Sequence, residues 1–222
     1  MKTTVLSWSS GKDSAYALHR LRRDPTVELV GLLTTVNTTF ERVAMHAVRR
    51  DLLSRQAEAT GLPLVEVPIP YPCSNEDYEA AMGSALADLE GRGVTHLAFG
   101  DLFLEDIRAY RDAMLEPTAL EPLYPAWCGP DRTAAVAQEM IELGMQAVLT
   151  CVDPRRLDER FAGRRFDAAL LEELPEGVDP LGENGEFHTF ATHGPMFSSP
   201  LSVTVGEVVR REGFVFADLL PA

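Results

Sequence analysis

The chain has 222 residues, enough for one large domain or two small ones. Hydrophobic residues make up 45%, which supports a full core and argues against a disordered chain. The formal net charge of −14 repels phosphate backbones, so bulk nucleic acid is not an expected partner.

The chain opens with an apolar strand candidate, Thr3–Ser7, followed by the polar loop Trp8-Ser9-Ser10-Gly11-Lys12-Asp13 and a helix candidate, Ser14–Arg22. A helix N-terminus presents unpaired N–H groups and partial positive charge, so this corner suits phosphate. Gly11 permits close backbone approach, Lys12 adds a cation, and Ser9, Ser10 and Ser14 add hydroxyls. The same serines and Asp13 also suit an ordinary capped helix, with Asp13 or Ser14 as the cap. The loop is not a Walker A sequence, because Leu6 and Asp13 stand where Gly and Ser or Thr are needed. With a single glycine it is not a dinucleotide fingerprint either.

Strand candidates Glu28–Thr34, Leu64–Val67 and Thr95–Phe99 then alternate with helix candidates Val43–Ala59, Asn75–Glu90 and Leu102–Leu115. Such alternation predicts a parallel sheet with helices on both faces and ligands beyond the carboxyl ends of the strands. Thr34 ends the second strand, and His46 falls on the second helix. The Gly100-Asp101 corner ends the fourth strand, and Asp101 is expected at the start of a helix whose one face carries Asp101, Glu105, Arg108 and Arg111. An Asp there suits Mg²⁺ or substrate positioning, and the arginines suit phosphate; a helix cap with surface ion pairs is the plainer reading.

Prolines 117, 122, 125 and 130 break the rhythm and place a boundary between a domain of residues 1–116 and one of residues 117–222. A helix at Arg132–Leu143, a strand at Gln146–Cys151, a helix at Phe166–Leu174 and a hairpin of Leu201–Val209 with Phe214–Leu219 predict a smaller α+β domain. Arg155, Arg156, Arg160, Arg164 and Arg165 are interleaved with Asp153, Asp158, Glu159 and Asp167 and read as a solvated face. Between helix and hairpin lies Gly182-Glu183-Asn184-Gly185-Glu186-Phe187-His188-Thr189, a loop running into a short strand. Glu183 and Glu186 suit orientation of an amine, activation of ammonia or metal binding, while Gly and Asn alone suit a surface turn. The three cysteines show no CxxC or Cys/His metal spacing, so reduced thiols and a cytoplasmic location are expected. No apolar run is long enough for a signal peptide or a membrane span.

Ser9-Ser10-Gly11-Lys12-Asp13-Ser14 resembles the PP-loop of the ATP pyrophosphatase (adenine nucleotide alpha hydrolase) superfamily, usually Ser-Gly-Gly-x-Asp-Ser, with Ser10 in place of the first glycine. With the Gly100-Asp101 corner, its downstream arginines and the 183–189 segment, the chain resembles the diphthine–ammonia ligase family, or diphthamide synthase domain. That family's signature Glu-Gly-Gly-Glu-Tyr-Glu-Thr reads here Glu183-Asn184-Gly185-Glu186-Phe187-His188-Thr189. The resemblance implies an α/β fold, with an N-terminal parallel-sheet PP-loop domain (HUP-like, Rossmann-like) and a smaller C-terminal α+β domain. It implies an amide-forming ligase using ATP and Mg²⁺, which adenylates a carboxylate with release of pyrophosphate and passes it to ammonia or an amine with release of AMP. The nucleotide residues implied are Ser9, Ser10, Gly11, Lys12, Asp13, Ser14, Thr34, His46, Gly100 and Arg108. The catalytic residues implied are Lys12, Asp13, Asp101, Glu183 and Glu186, with Asp101 on Mg²⁺, and Arg111, Asn184, Gly185 and His188 face the substrate. The family reaction amidates diphthine on elongation factor 2. A homodimer is compatible with the sequence. A PP-loop RNA-modifying enzyme and an ATP- or AMP-binding regulatory protein without chemistry are the competing readings.

Overall fold

The computed structural model describes residues 1–39, 42–43 and 48–222. Its first sheet is built from β1 (Lys2–Ser7), β2 (Val27–Asn37), β3 (Arg42–Val43), β4 (Leu64–Ile69), β5 (His96–Ala98) and β6 (Glu121–Leu123). The parallel strands run β4-β2-β1-β5-β6, and β3 pairs antiparallel with the far end of β2. The connections carry α1 (Lys12–Arg22), α2 (Arg50–Thr60), α3 (Asn75–Gly91) and α4 (Glu105–Leu115). This is the expected β-α-β architecture, because each crossover between parallel strands needs a helix to return the chain.

The second sheet is antiparallel and smaller. Its central strand, β7 (Gln146–Val152), pairs with β9 (Phe187–His193) and also with β8 (Arg165–Phe166) and β11 (Phe214–Pro221). The hairpin partner of β11, β10 (Val203–Arg211), forms the edge. Two helices, α5 (Thr133–Glu142) and α6 (Ala168–Glu173), complete this half. One core cluster runs through both sheets: Leu6, Trp8 and Leu18 share it with Leu149, Phe161, Phe187 and Phe190. A second cluster, with Val5, Leu33, Met82, Leu86 and Phe99, lies on the other face of the parallel sheet.

Several element boundaries differ from the sequence reading. Arg42 and Val43 lie in a strand, and α2 starts only at Arg50, so Val43 does not open that helix. His46 lies outside the described residues. The proline-rich stretch is not all connection: Glu121–Leu123 adds a parallel strand beside β5, with Pro122 at this sheet edge, where its missing N–H is tolerated. Phe166 belongs to β8, and α6 starts after Asp167, whose carboxylate accepts the Leu170 N–H. The arginine cluster is largely neutralised in place, Arg155 by Asp153 at 2.8 Å and Arg164 by Glu173 at 2.9 Å. Among the described residues no helix is long and apolar enough to cross a membrane.

Candidate functional site

Strands β1 and β5 are adjacent and parallel, so the loop after β1 and the corner after β5 emerge side by side. Gly100 makes that closeness possible: a Cβ there would sit 2.9 Å from the Ser14 nitrogen and 3.1 Å from the Asp13 carbonyl carbon. The glycine is therefore required by packing against the first turn of α1. Helix α1 begins at Lys12, and its N-cap is Gly11, with no side-chain cap. Asp13 and Ser14 are thus inside the helix rather than capping it. The Ser14 hydroxyl donates back to the Gly11 carbonyl at 3.0 Å and accepts from Ser9 Oγ at 3.1 Å.

Ser10 stands in the left-handed region, φ 67°, although it is not glycine. An L-residue is uphill there, so the conformation must be held by its surroundings. The holding groups come from β9: the Ala191 N–H donates to the Ser10 carbonyl at 2.9 Å, and the Lys12 N–H donates to Thr189 Oγ1 at 3.1 Å. Gly11 is equally close, with a Cβ there only 3.2 Å from the Thr189 carbonyl oxygen. The second sheet thus completes the loop of the first.

Lys12 is buried beneath this loop. Its ammonium lies 2.9 Å from both Asp13 carboxylate oxygens, donates to the Leu181 carbonyl, and sits 5.5 and 5.4 Å from the ring centres of Phe166 and Phe187. Burial raises the Asp13 carboxyl above its ordinary range, with Lys12 pulling it down and Asp179 adding to the rise.

The Gly182–Glu186 loop closes over the same point. Gly182 and Gly185 take positive φ, and a turn joins the Gly185 N–H to the Gly182 carbonyl. Asp179 organises it, accepting the Glu183 N–H at 2.8 Å and donating its own N–H to Glu186 Oε1 at 3.1 Å. Glu183 reaches the other domain, where Oε1 accepts the Leu102 N–H at 2.9 Å. Burial, then Asp13, pushes the Glu183 carboxyl up to about 8. Glu186 is buried, with Oε1 also taking an Asn184 amide proton at 3.3 Å and Oε2 without a partner. His188 follows on β9, and burial with the nearby Lys12 charge lowers its imidazole to about 4, so it is neutral.

Asp101 is not at a helix start, because α4 begins at Glu105. Its carboxylate faces Arg111 at 3.6 Å, an ion pair without hydrogen-bond geometry, and its carboxyl is raised by burial against the pull of Arg111. Arg108 does not join this face; its guanidinium lies over Tyr124 and Trp127, 4.8 and 4.9 Å from the ring centres. Thr34 is buried, with its hydroxyl donating to the Trp8 carbonyl at 2.7 Å, so it braces the end of β1. Among the described residues no group of three His, Cys, Asp or Glu is placed to hold a metal ion. The charge partner of Asp101 is the Arg111 side chain.

Five buried side-chain atoms have no hydrogen-bond partner among the described residues: Ser10 Oγ, Asp101 Oδ2, Arg111 Nε, Glu186 Oε2 and His193 Nδ1. Four of the five belong to residues that the sequence reading assigned to the site. Buried polar atoms are normally paired, and orphaned ones concentrate where a ligand supplies the missing partner. Sequence reasoning placed Phe187 in the signature without a role at Lys12, and it did not single out Asp179, Gln56 or Phe166. The Asp179-Pro180 pair was a turn signal that pointed to Asp179.

Residues 1–120 match the model of the diphthamide synthase N-terminal domain, and residues 132–218 match that of the diphthamide synthase C-terminal domain. Among curated proteins, the chain is 27% identical to the diphthine–ammonia ligase of Bos taurus and 28% identical to that of Homo sapiens. Each alignment covers 94% of this chain and 85% of the relative. It is also 29% identical to the diphthine–ammonia ligase of Danio rerio, over 72% of this chain and 68% of that protein.

Proposed function

The chain belongs to the diphthamide synthase family, and on that premise we propose that it is an ATP-dependent ligase forming an amide from a carboxylate and ammonia or an amine. The observation that carries this reading is the docking of Glu183 onto the Leu102 N–H. A carboxyl group of the 183–189 segment beside the Gly100-Asp101 corner supports a reading in which the activated acyl group and the incoming nitrogen meet there.

In this reading the triphosphate rests against the loop of residues 10–14 at the amino end of α1. Lys12, held below, supplies fixed positive charge. A substrate carboxylate oxygen attacks the α-phosphorus, its bond to the bridging oxygen breaks, and pyrophosphate leaves. The nitrogen then attacks the acyl carbon and AMP leaves. Arg111, beside Asp101, offsets negative charge on the reacting groups. Glu183 and Glu186 orient the nitrogen and take the proton it sheds. Asn184 fixes Glu186, and Gly185 and the neutral His188 shape the substrate side. Magnesium would ride on the triphosphate, with Asp101 as a carboxylate that would help to hold it. Residues 1–116 with the β6 strand form the nucleotide half, and the remainder forms the amide-forming half.

The test is chromatographic. ATP should yield AMP and pyrophosphate in equal amounts, and the yield should depend on both ammonia and a carboxylate acceptor. Candidate acceptors run from small acids to peptides bearing the diphthine side chain. Release of ADP and phosphate, or no ATP consumption with any acceptor, would overturn the assignment.

A further inference from the structure

Gln56 lies on α2, outside every motif of the site, yet it is fully buried and uses its whole amide on one purpose. Oε1 accepts the indole N–H of Trp8 at 3.0 Å. Nε2 donates one proton to the Ser10 carbonyl at 3.0 Å and the other to the Ala191 carbonyl at 2.7 Å. The acceptor and both donors are therefore matched, and the two carbonyls fix which end of the amide carries nitrogen. The three partners are the residue that follows β1, the left-handed residue of the loop, and the β9 residue that also donates to Ser10.

A trans peptide points its C=O and the following N–H in opposite directions. Two donors, Gln56 Nε2 and the Ala191 N–H, hold the Ser10 carbonyl toward the interior. The Gly11 N–H of the same peptide is thereby turned the other way, donating to Ser9 Oγ at 3.3 Å. Were this peptide to rotate, a carbonyl oxygen would replace an N–H where phosphate is to bind. We propose that Gln56 is a positioning residue for the nucleotide loop, its side-chain amide holding the Ser10–Gly11 peptide in the orientation that presents N–H to phosphate. This rests on the reading that the loop takes the phosphates of ATP.

The experiment compares the wild-type protein with Gln56→Glu and Gln56→Met. Both variants keep the length of the side chain and remove the amide donors. Binding of α,β-methylene-ATP and of AMP is followed by titration calorimetry at temperatures where thermal melts show each variant folded. The proposal expects the triphosphate analogue to weaken by about tenfold or more, and AMP by less than about threefold, because alignment of the phosphate chain is what is lost. Lowering the pH should partly restore analogue binding in Gln56→Glu, whose protonated acid regains one donor, but not in Gln56→Met. Should Gln56→Met fail to fold, Gln56→Glu alone carries the pH arm. Unchanged analogue binding in a folded variant, equal loss for AMP and analogue, or no pH rescue overturns the role of Gln56. Failure of the wild-type protein to bind the analogue overturns the loop reading instead, and the proposal with it.

Discussion

Glu183 and Leu102 are joined across the two sheets by a hydrogen bond of 2.9 Å from a backbone N–H to a half-buried carboxylate. The carboxyl group is pushed up to about 8 from an ordinary value of 4.5, first by burial and then by the Asp13 charge. Between pH 4.5 and about 8 the folded chain holds a proton here that the unfolded chain has released. Stability from this group is therefore present at low pH and lost as pH rises through about 8. Urea midpoints of the wild-type protein should fall across that window relative to Glu183→Gln, which has nothing to titrate. Parallel curves for the two proteins would remove Glu183 as the source. Amide formation should show the opposite trend, rising as Glu183 loses its proton and becomes able to accept one.

Glu186→Gln keeps an acceptor for the Asp179 N–H, so the loop should retain its shape. Nucleotide binding is expected to be unchanged while amide formation drops by about a hundredfold. Full turnover by this variant would show that Glu186 takes no part in handling the nitrogen.

Lys12→Met places an apolar chain of similar length between Phe166 and Phe187, which suits that lining. The protein should fold, yet pyrophosphate release should fall by about two to three orders of magnitude, the usual effect of deleting a preorganised charge at a reacting phosphate. A pyrophosphate-coupled assay checks it, with circular dichroism reporting the fold.

Ser10→Gly should stabilise the chain. Serine is strained at φ 67° and its hydroxyl is buried without a partner, whereas glycine adopts that conformation freely but costs more chain entropy. The balance is a gain of about 1 kcal/mol, read as a shift in denaturation midpoint. A loss of stability would mean that the hydroxyl has a partner in solution.

The parts of this site that were legible in sequence are those where backbone geometry demands a residue type. Gly11 and Gly100 are close approaches, Gly182 and Gly185 are positive-φ turns, and the serines and carboxylates between them follow an ordered pattern. Family resemblance joined these blocks, and the structure brings them together. What failed was local. Apolar spacing ran α2 back to Val43, although Val43 lies in strand β3 and the helix starts at Arg50. Starting α4 at Leu102 rather than Glu105 put Asp101 on a helix it does not join. The stacking of the Arg108 guanidinium on Tyr124 and Trp127 was also not legible, because rings 16 and 19 residues away carry no local signal. Gln56 escaped notice because a single glutamine on an amphipathic helix reads as surface. Only the tertiary packing shows that its amide satisfies two backbone carbonyls from distant segments.

The hydrogen bonds that Ala191 donates to the nucleotide loop and Thr189 accepts from it also set an order of events during synthesis. The first sheet has all its strands once residue 123 has left the ribosome, but β9 emerges only with residues 187–193. Until then the Ser10 carbonyl has only the Gln56 amide as a donor, and a nascent chain bearing a complete parallel sheet should still be unable to grip nucleotide.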